Sequence, residues 1–155
     1  MSSSHRSPRI RVSGMIWHDD HLLLIRQGRP TSPRWMLPGG GVEGGEALSE
    51  ALTRELREEI RLRNPRVGDP VAMVESIAPD AHPSGRHLLH VVFNVRLPEG
   101  LSPDDLHCDD PDVRELRVFR RPELLTVPIH PPIAAWLSAW KPTTPFAYFG
   151  PLWAP

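Results

Sequence analysis

The sequence predicts a single α+β domain, and three observations carry that reading. Six stretches read as strands, two of them as a hairpin and one with clear two-residue alternation. One strongly amphipathic helical stretch sits near its centre, and a second, opened by prolines, comes near its end. A length of 155 residues suits one domain with a core of its own, and 39% apolar with 24% charged residues is an ordinary globular composition.

Taken in order, residues 1–8 read as a disordered tail. "IRVSGMIW" (residues 10–17) reads as a strand, "HDDH" as a turn and "LLLIRQ" (residues 22–27) as a returning strand, so the three form a hairpin. "GRPTSPR" is rich in turn formers, and "WML" is a short strand running into "PGGG". A helix is expected over residues 47–61, ended by "NPRVGDP". "VAMVESI" is a strand and "APDAHPSGR" a polar loop. "HLLHVVFNVRL" is a long strand with Leu89, Val91, Phe93 and Val95 on one face and Leu88, His90, Val92 and Asn94 on the other. An acidic loop follows, then the strand "ELRVFR", a short turn at "PELL" and a helix at "PPIAAWLSAW". There Ile133, Trp136, Leu137 and Trp140 form one stripe, which suits a core or a dimer surface. The tail "KPTTPFAYFGPLWAP" is expected to pack on its own domain or on a partner.

Composition excludes several classes of function. A formal net charge of −1 offers no global field to attract nucleic acid or anionic membrane. Lys141 is the only lysine, so the other basic residues are all arginine. Arginine suits two-pronged phosphate contacts, although codon bias explains the same excess. Cys108 is the only cysteine, which rules out an intrachain disulfide and a cysteine-built zinc site. No apolar run approaches a membrane span, and the first residues lack the apolar core of a signal peptide, so a cytoplasmic location is expected.

The central helix carries the chemistry. On a helical wheel Ala47, Leu48, Ala51, Leu52, Leu56 and Ile60 cover one arc, and Ser49, Glu50, Thr53, Arg54, Arg57 and Arg61 cover the other. Glu55, Glu58 and Glu59 fall inside the apolar arc and are expected to turn inward. Like charges on an inward flank must take up protons or be neutralised by a cation, and a hard divalent ion such as Mg²⁺ or Mn²⁺ fits an all-oxygen set. The preceding "LPGGGVEGGE" allows close backbone approach and places amides near a helix N-terminus.

The stretch from Gly40 to Leu62 resembles the Nudix hydrolase box, G-x5-E-x7-R-E-U-x-E-E-x-G-U with U aliphatic. Gly40 and Glu46 fill the first two positions. Arg54, Glu55 and Leu56 supply R-E-U, Glu58 and Glu59 supply E-E, and Leu62 closes it. Arg61 stands where the family usually has glycine, which implies a strained left-handed cap or a different helix end, with Asn64 helping.

The resemblance implies a Nudix fold, with a mixed sheet sandwiched between helices. The hydrolase domain then spans residues 9–141 and a proline- and aromatic-rich tail residues 142–155. It also implies hydrolysis of a nucleoside diphosphate linked to another group, with Mg²⁺ as cofactor and Mn²⁺ as substitute. Glu55, Glu58 and Glu59 would ligate the metal with the Gly40 carbonyl, Glu55 would also serve as base, and Arg54 would orient Glu46 or Glu55. A further acid is expected from Asp109, Asp110, Asp112 or Glu115, with Glu115 preferred. Arg26, Arg34, Trp35, His87 and Gly39 are the candidate substrate contacts, and His82 and His90 are weaker ones. Expected partners are a nucleotide-type small molecule and a second copy of the chain, with neither membrane nor nucleic acid. The alternative is a nucleotide-sensing module of weak turnover. RNA binding is disfavoured because no basic stripe is present.

Overall fold

The computed structural model describes residues 6–29 and 31–153. Eight strands form one mixed sheet: β1 (Arg9–His18), β2 (His21–Arg29), β3 (Ser32–Met36), β4 (Gly39–Gly41), β5 (Arg66–Ile77), β6 (His87–Arg96), β7 (Val113–Arg120) and β8 (Ala147–Leu152). The two α-helices are α1 (Leu48–Ile60) and α2 (Ala134–Ala139). The main strand order is β3-β2-β1-β6-β5-β8, with β4 added to β1 and β7 to β2. β1 runs parallel to β6, and β8 parallel to β5.

Alternation along β1, β2 and β6 feeds two cores on opposite faces of the sheet. Val12, Ile16, Leu23, Ile25, Val91, Phe93 and Val95 face α1, whose Ala51, Leu52, Leu56 and Ile60 are fully buried against them. Burial of each such leucine or isoleucine contributes about 1.5–3 kcal/mol. Met15, Leu22, Leu24, Val92 and Phe119 face the other side, where Leu137 of α2 and Leu124 pack. The layering is therefore helix, sheet, helix, as the sequence predicts.

Two local readings change, and two that left alternatives open are decided. The glycines after Pro38 form β4 rather than a loop, pairing Gly40 with Val12. β5 begins at Arg66, so the segment assigned to stopping the helix is already strand. The stripe Ile133, Leu137 and Trp140 is buried in this chain's own core, with Trp136 stacked edge-on against Phe149 at 5.9 Å, and does not form a free dimer surface. The C-terminal segment joins the sheet as β8, where Tyr148 donates to Glu75 Oε2 at 2.7 Å and Glu75 Oε1 meets His87 Nε2 at 3.0 Å. The first five residues of the expected disordered tail lie outside the described residues. Of the rest, the Arg6 amide donates to the Gly85 carbonyl at 2.8 Å.

Helix α1 ends at Arg61 in the left-handed region, φ 57° and ψ 25°. A non-glycine residue there costs about 1–2 kcal/mol. Arg61 Nη2 meets Asp109 Oδ2 at 2.5 Å, tying the helix end to the acidic loop. Asn64 is also left-handed, φ 54°. Among the described residues no helix is long and apolar enough to cross a membrane.

Candidate active site

Gly40, Glu55 and Glu59 of the box line a cleft of about 620 Å³ between α1, β4 and the loop before β7. A guanidinium outside this lining ties two of its members together. Arg54 donates from Nε to Glu46 Oε1 at 2.6 Å and from Nη2 to Glu46 Oε2 at 3.0 Å, a two-pronged pair. Its Nη2 also reaches the Gly41 carbonyl at 3.0 Å, and its Nη1 reaches Glu55 Oε1 at 2.9 Å and Glu58 Oε2 at 3.4 Å. Arg54 therefore orients both carboxylates offered to it, Glu46 and Glu55. The Arg54 hydrogen bonds hold the Glu46 carboxyl down at about 2.

Glu59 is the buried member of the trio, 3% exposed. Its Oε1 accepts from the Gly39 amide at 2.9 Å and its Oε2 from Gln27 Nε2 at 3.1 Å. Burial pushes its carboxyl up to about 7, opposed by the Gly39 hydrogen bond and the charge of Arg11 and reinforced by Glu55 and Asp110. Glu55 is partly buried and lies directly over Gly40: a Cβ on that glycine would sit 2.2 Å from the Glu55 carboxyl carbon. The expectation that all three acids turn inward fails at Glu58, whose side chain is 56% exposed. It lies one turn beyond Arg54, at the rim of the arc, where solvation is cheaper than burial.

Of two expected contacts, Trp35 is placed away from the cleft and Gly39 lines it. Trp35 is core, packed edge-on against Phe119 at 4.8 Å, and has no face for a base. Gly39 lines the cleft, but its N–H is taken by Glu59 and its C=O by Arg11 Nη2 at 3.1 Å.

Arg26 and Glu115 face away from the cleft. They oppose each other across β2 and β7, with Arg26 Nε 3.4 Å from Glu115 Oε2, on the sheet face opposite to Gln27. Glu115 therefore does not line the cleft, contrary to the expectation that it opens onto it. Of the other expected acids, Asp110 and Asp112 line the cleft, while Asp109 is paired with Arg61. His87 is held by Glu75 outside the cleft. Arg34 lies opposite Gln27 on β3, and its charge bears on His130.

Arg11 and Gln27 escaped the sequence reading. Both sit in strands with apolar runs, Arg11 between Ile10 and Val12 and Gln27 just past Leu22–Ile25, and a polar residue so placed was the available signal. Burial lowers the Arg11 pKa, while Glu59 and Glu55 raise it.

Among the described residues no group of three histidine, cysteine or acidic side chains stands ready-converged on one point. The donors that face the cleft still suit a hard cation. They are all oxygen, Gly40 is the cradle over which Glu55 rests, and Glu59 is an acid kept from water. Among the described residues, the carboxylates of Glu55, Glu59, Asp110 and Asp112 line it together with the guanidinium of Arg11.

A family model, the NUDIX domain, matches residues 7–139. The chain is 40% identical over 87 residues to an ADP-ribose pyrophosphatase of Methanocaldococcus jannaschii, covering 56% of this chain and 49% of that protein. It is 46% identical over 55 residues to the nucleoside triphosphatase NudI of Salmonella agona, covering 34% of this chain and 39% of that one. These matches span half or less of the relatives' lengths. Among solved structures, the E. coli ORF135 protein superposes with a TM-score of 0.62 at 26% identity, over 85% of this chain and 87% of that one.

Proposed function

The chain belongs to the NUDIX domain family, and from that premise we propose that it hydrolyses the pyrophosphate bond of a nucleoside diphosphate linked to a further group, with Mg²⁺ as the working cation. The carrying observation is the four-carboxylate cleft around Gly40. A pyrophosphate entering it alone would be repelled, so a substrate of that charge requires cations at the same place. A divalent ion held by Glu55, Glu59, Glu58 and the Gly40 carbonyl would offset phosphate charge and lower the pKa of water beside phosphorus.

The chain's own residues do the rest. Arg54 fixes Glu55 by the hydrogen bond at 2.9 Å, so the carboxylate keeps one orientation over Gly40. The Gly39 amide and Gln27 fix Glu59 in the same way from below. Arg11 supplies the positive group of the cleft and is placed to meet a phosphate oxygen. Asp110 and Asp112 stand across from α1, and either can accept a proton from the attacking water, with Glu55 as the other acceptor.

The experiment is a panel containing ADP-ribose, nucleoside triphosphates and dinucleoside polyphosphates, incubated with Mg²⁺ and with EDTA. Phosphate-bond cleavage that disappears in EDTA supports the reading. Absence of metal-dependent cleavage across the panel overturns it and leaves a nucleotide-binding module.

A further inference from the structure

A second cavity, of about 140 Å³, opens beside the cleft and shares Arg11 and Gln27 with it. Leu37, Leu88, Val92 and Ile133 supply apolar wall, and His90 and His130 face into it. The two rings approach edge to face, centroids 6.1 Å apart. His90 is 2% exposed, and neither of its ring nitrogens has a hydrogen-bond partner among the described residues; His130 Nδ1 is likewise buried and unpartnered. Buried polar atoms left so are uncommon and costly, and they mark the place of a missing partner.

We propose that His90 and His130 select the substrate's base, and that their cavity takes a single-ring, pyrimidine-sized heterocycle while the phosphates lie in the carboxylate cleft. The proposal rests on the nucleotide reading of that cleft. Size is the first argument: a dry cavity of about 150 Å³ takes one benzene ring. Charge is the second. Burial depresses both imidazoles, His90 to about 3 with Arg11 and His130 adding to it, and His130 to about 4 with Arg34, Arg11 and Arg86 adding to it. A neutral imidazole has one donor and one acceptor and does not attract phosphate. Its complement is an uncharged planar ring carrying both a donor and an acceptor on one edge, as a pyrimidine does. Arg11 at the shared wall separates the ring from the phosphates.

Binding of uridine, cytidine, adenosine and guanosine to the full chain, measured by saturation-transfer NMR in EDTA, tests this without any turnover. Pyrimidine nucleosides are expected to bind at least tenfold tighter than purine ones. His90→Leu and His130→Leu should each weaken that binding tenfold or more, with partial retention in His130→Asn. His90→Leu should melt no lower than the parent, because it removes two unpartnered nitrogens. Equal or tighter purine binding, unchanged binding in both leucine variants, or no nucleoside binding at all would overturn the assignment. So would a clear fall in melting temperature for His90→Leu, which would show that water already satisfies the ring. Loss of metal-dependent cleavage would instead strike the cleft reading alone.

Discussion

The Gly39 amide donates to Glu59 Oε1 at 2.9 Å, joining the strand that carries the glycines to the acid buried deepest on the helix. The bond crosses twenty positions of sequence and closes the floor of the cleft. Gly39 and its neighbour Gly40 are small for different reasons, and substitution separates them.

At Gly40 an added Cβ meets only the Glu55 carboxylate, the end of a flexible side chain. At Gly39 it would lie 2.0 Å from the Val12 carbonyl oxygen and 2.8 Å from the Ser13 Cα, both backbone. Gly40→Ala should cut turnover tenfold or more while moving the thermal midpoint little. Gly39→Ala should lower the midpoint by several degrees. Melting curves and initial rates on the two proteins check this. Equal midpoints would contradict it.

Glu58→Gln should reduce turnover by orders of magnitude with the fold intact. The side chain is exposed, so its charge contributes little to folding, while the proposed cation needs it. Wild-type rates in that variant would remove Glu58 from the ligand set.

Arg61 tests the helix cap. Arg61→Gly relieves left-handed strain and loses the exposed pair with Asp109; Arg61→Ala loses the pair and keeps the strain. Glycine should therefore be more stable than alanine by about 1 kcal/mol in urea titrations. Alanine as stable as glycine would show that the cap is not strained.

Two carboxyls give opposite pH dependences. The Glu46 pKa is lowered from 4.5 to about 2, so its contribution is present above 4.5 and is lost as pH falls toward 2. The stability gap between the parent and Glu46→Gln should close over that window. Glu59 is raised from 4.5 to about 7, so metal-free protein should lose stability as pH rises from 4.5 through about 7. Glu59→Gln should remove that loss, and Mg²⁺ should reduce it in the parent, because ligation requires the ionised form. Urea midpoints from pH 2 to 8, with EDTA or Mg²⁺, provide the measurement.

Much of this was legible in the sequence. The alternation in β6 and the apolar arc of α1 were readable, because two-sided burial leaves a direct imprint on residue choice, while the layering came from the resemblance. The resemblance carried by Gly40, Glu46, Arg54, Glu55, Glu58 and Glu59 pointed to the site, and Gly40, Glu55 and Glu59 of that set line the cleft. Glu58 was misjudged because a wheel gives azimuth only, and the rim of an apolar arc can lie in water. Glu115 was misjudged because its face depends on the register of β7 against β2, which the sequence does not encode locally. β8 was hidden by the prolines at 145 and 151, which suit an edge position. His130 lies forty positions from His90, and only packing brings the two rings together.

The central claim is that Glu55, Glu59 and the Gly40 carbonyl hold a divalent cation. Anomalous diffraction from crystals soaked in manganese tests it most directly. The account predicts a peak within about 2.0–2.6 Å of oxygens from both Glu55 and Glu59. A cleft with no peak in crystals that bind manganese elsewhere, and with Glu59 still bonded only to Gly39 and Gln27, would contradict it.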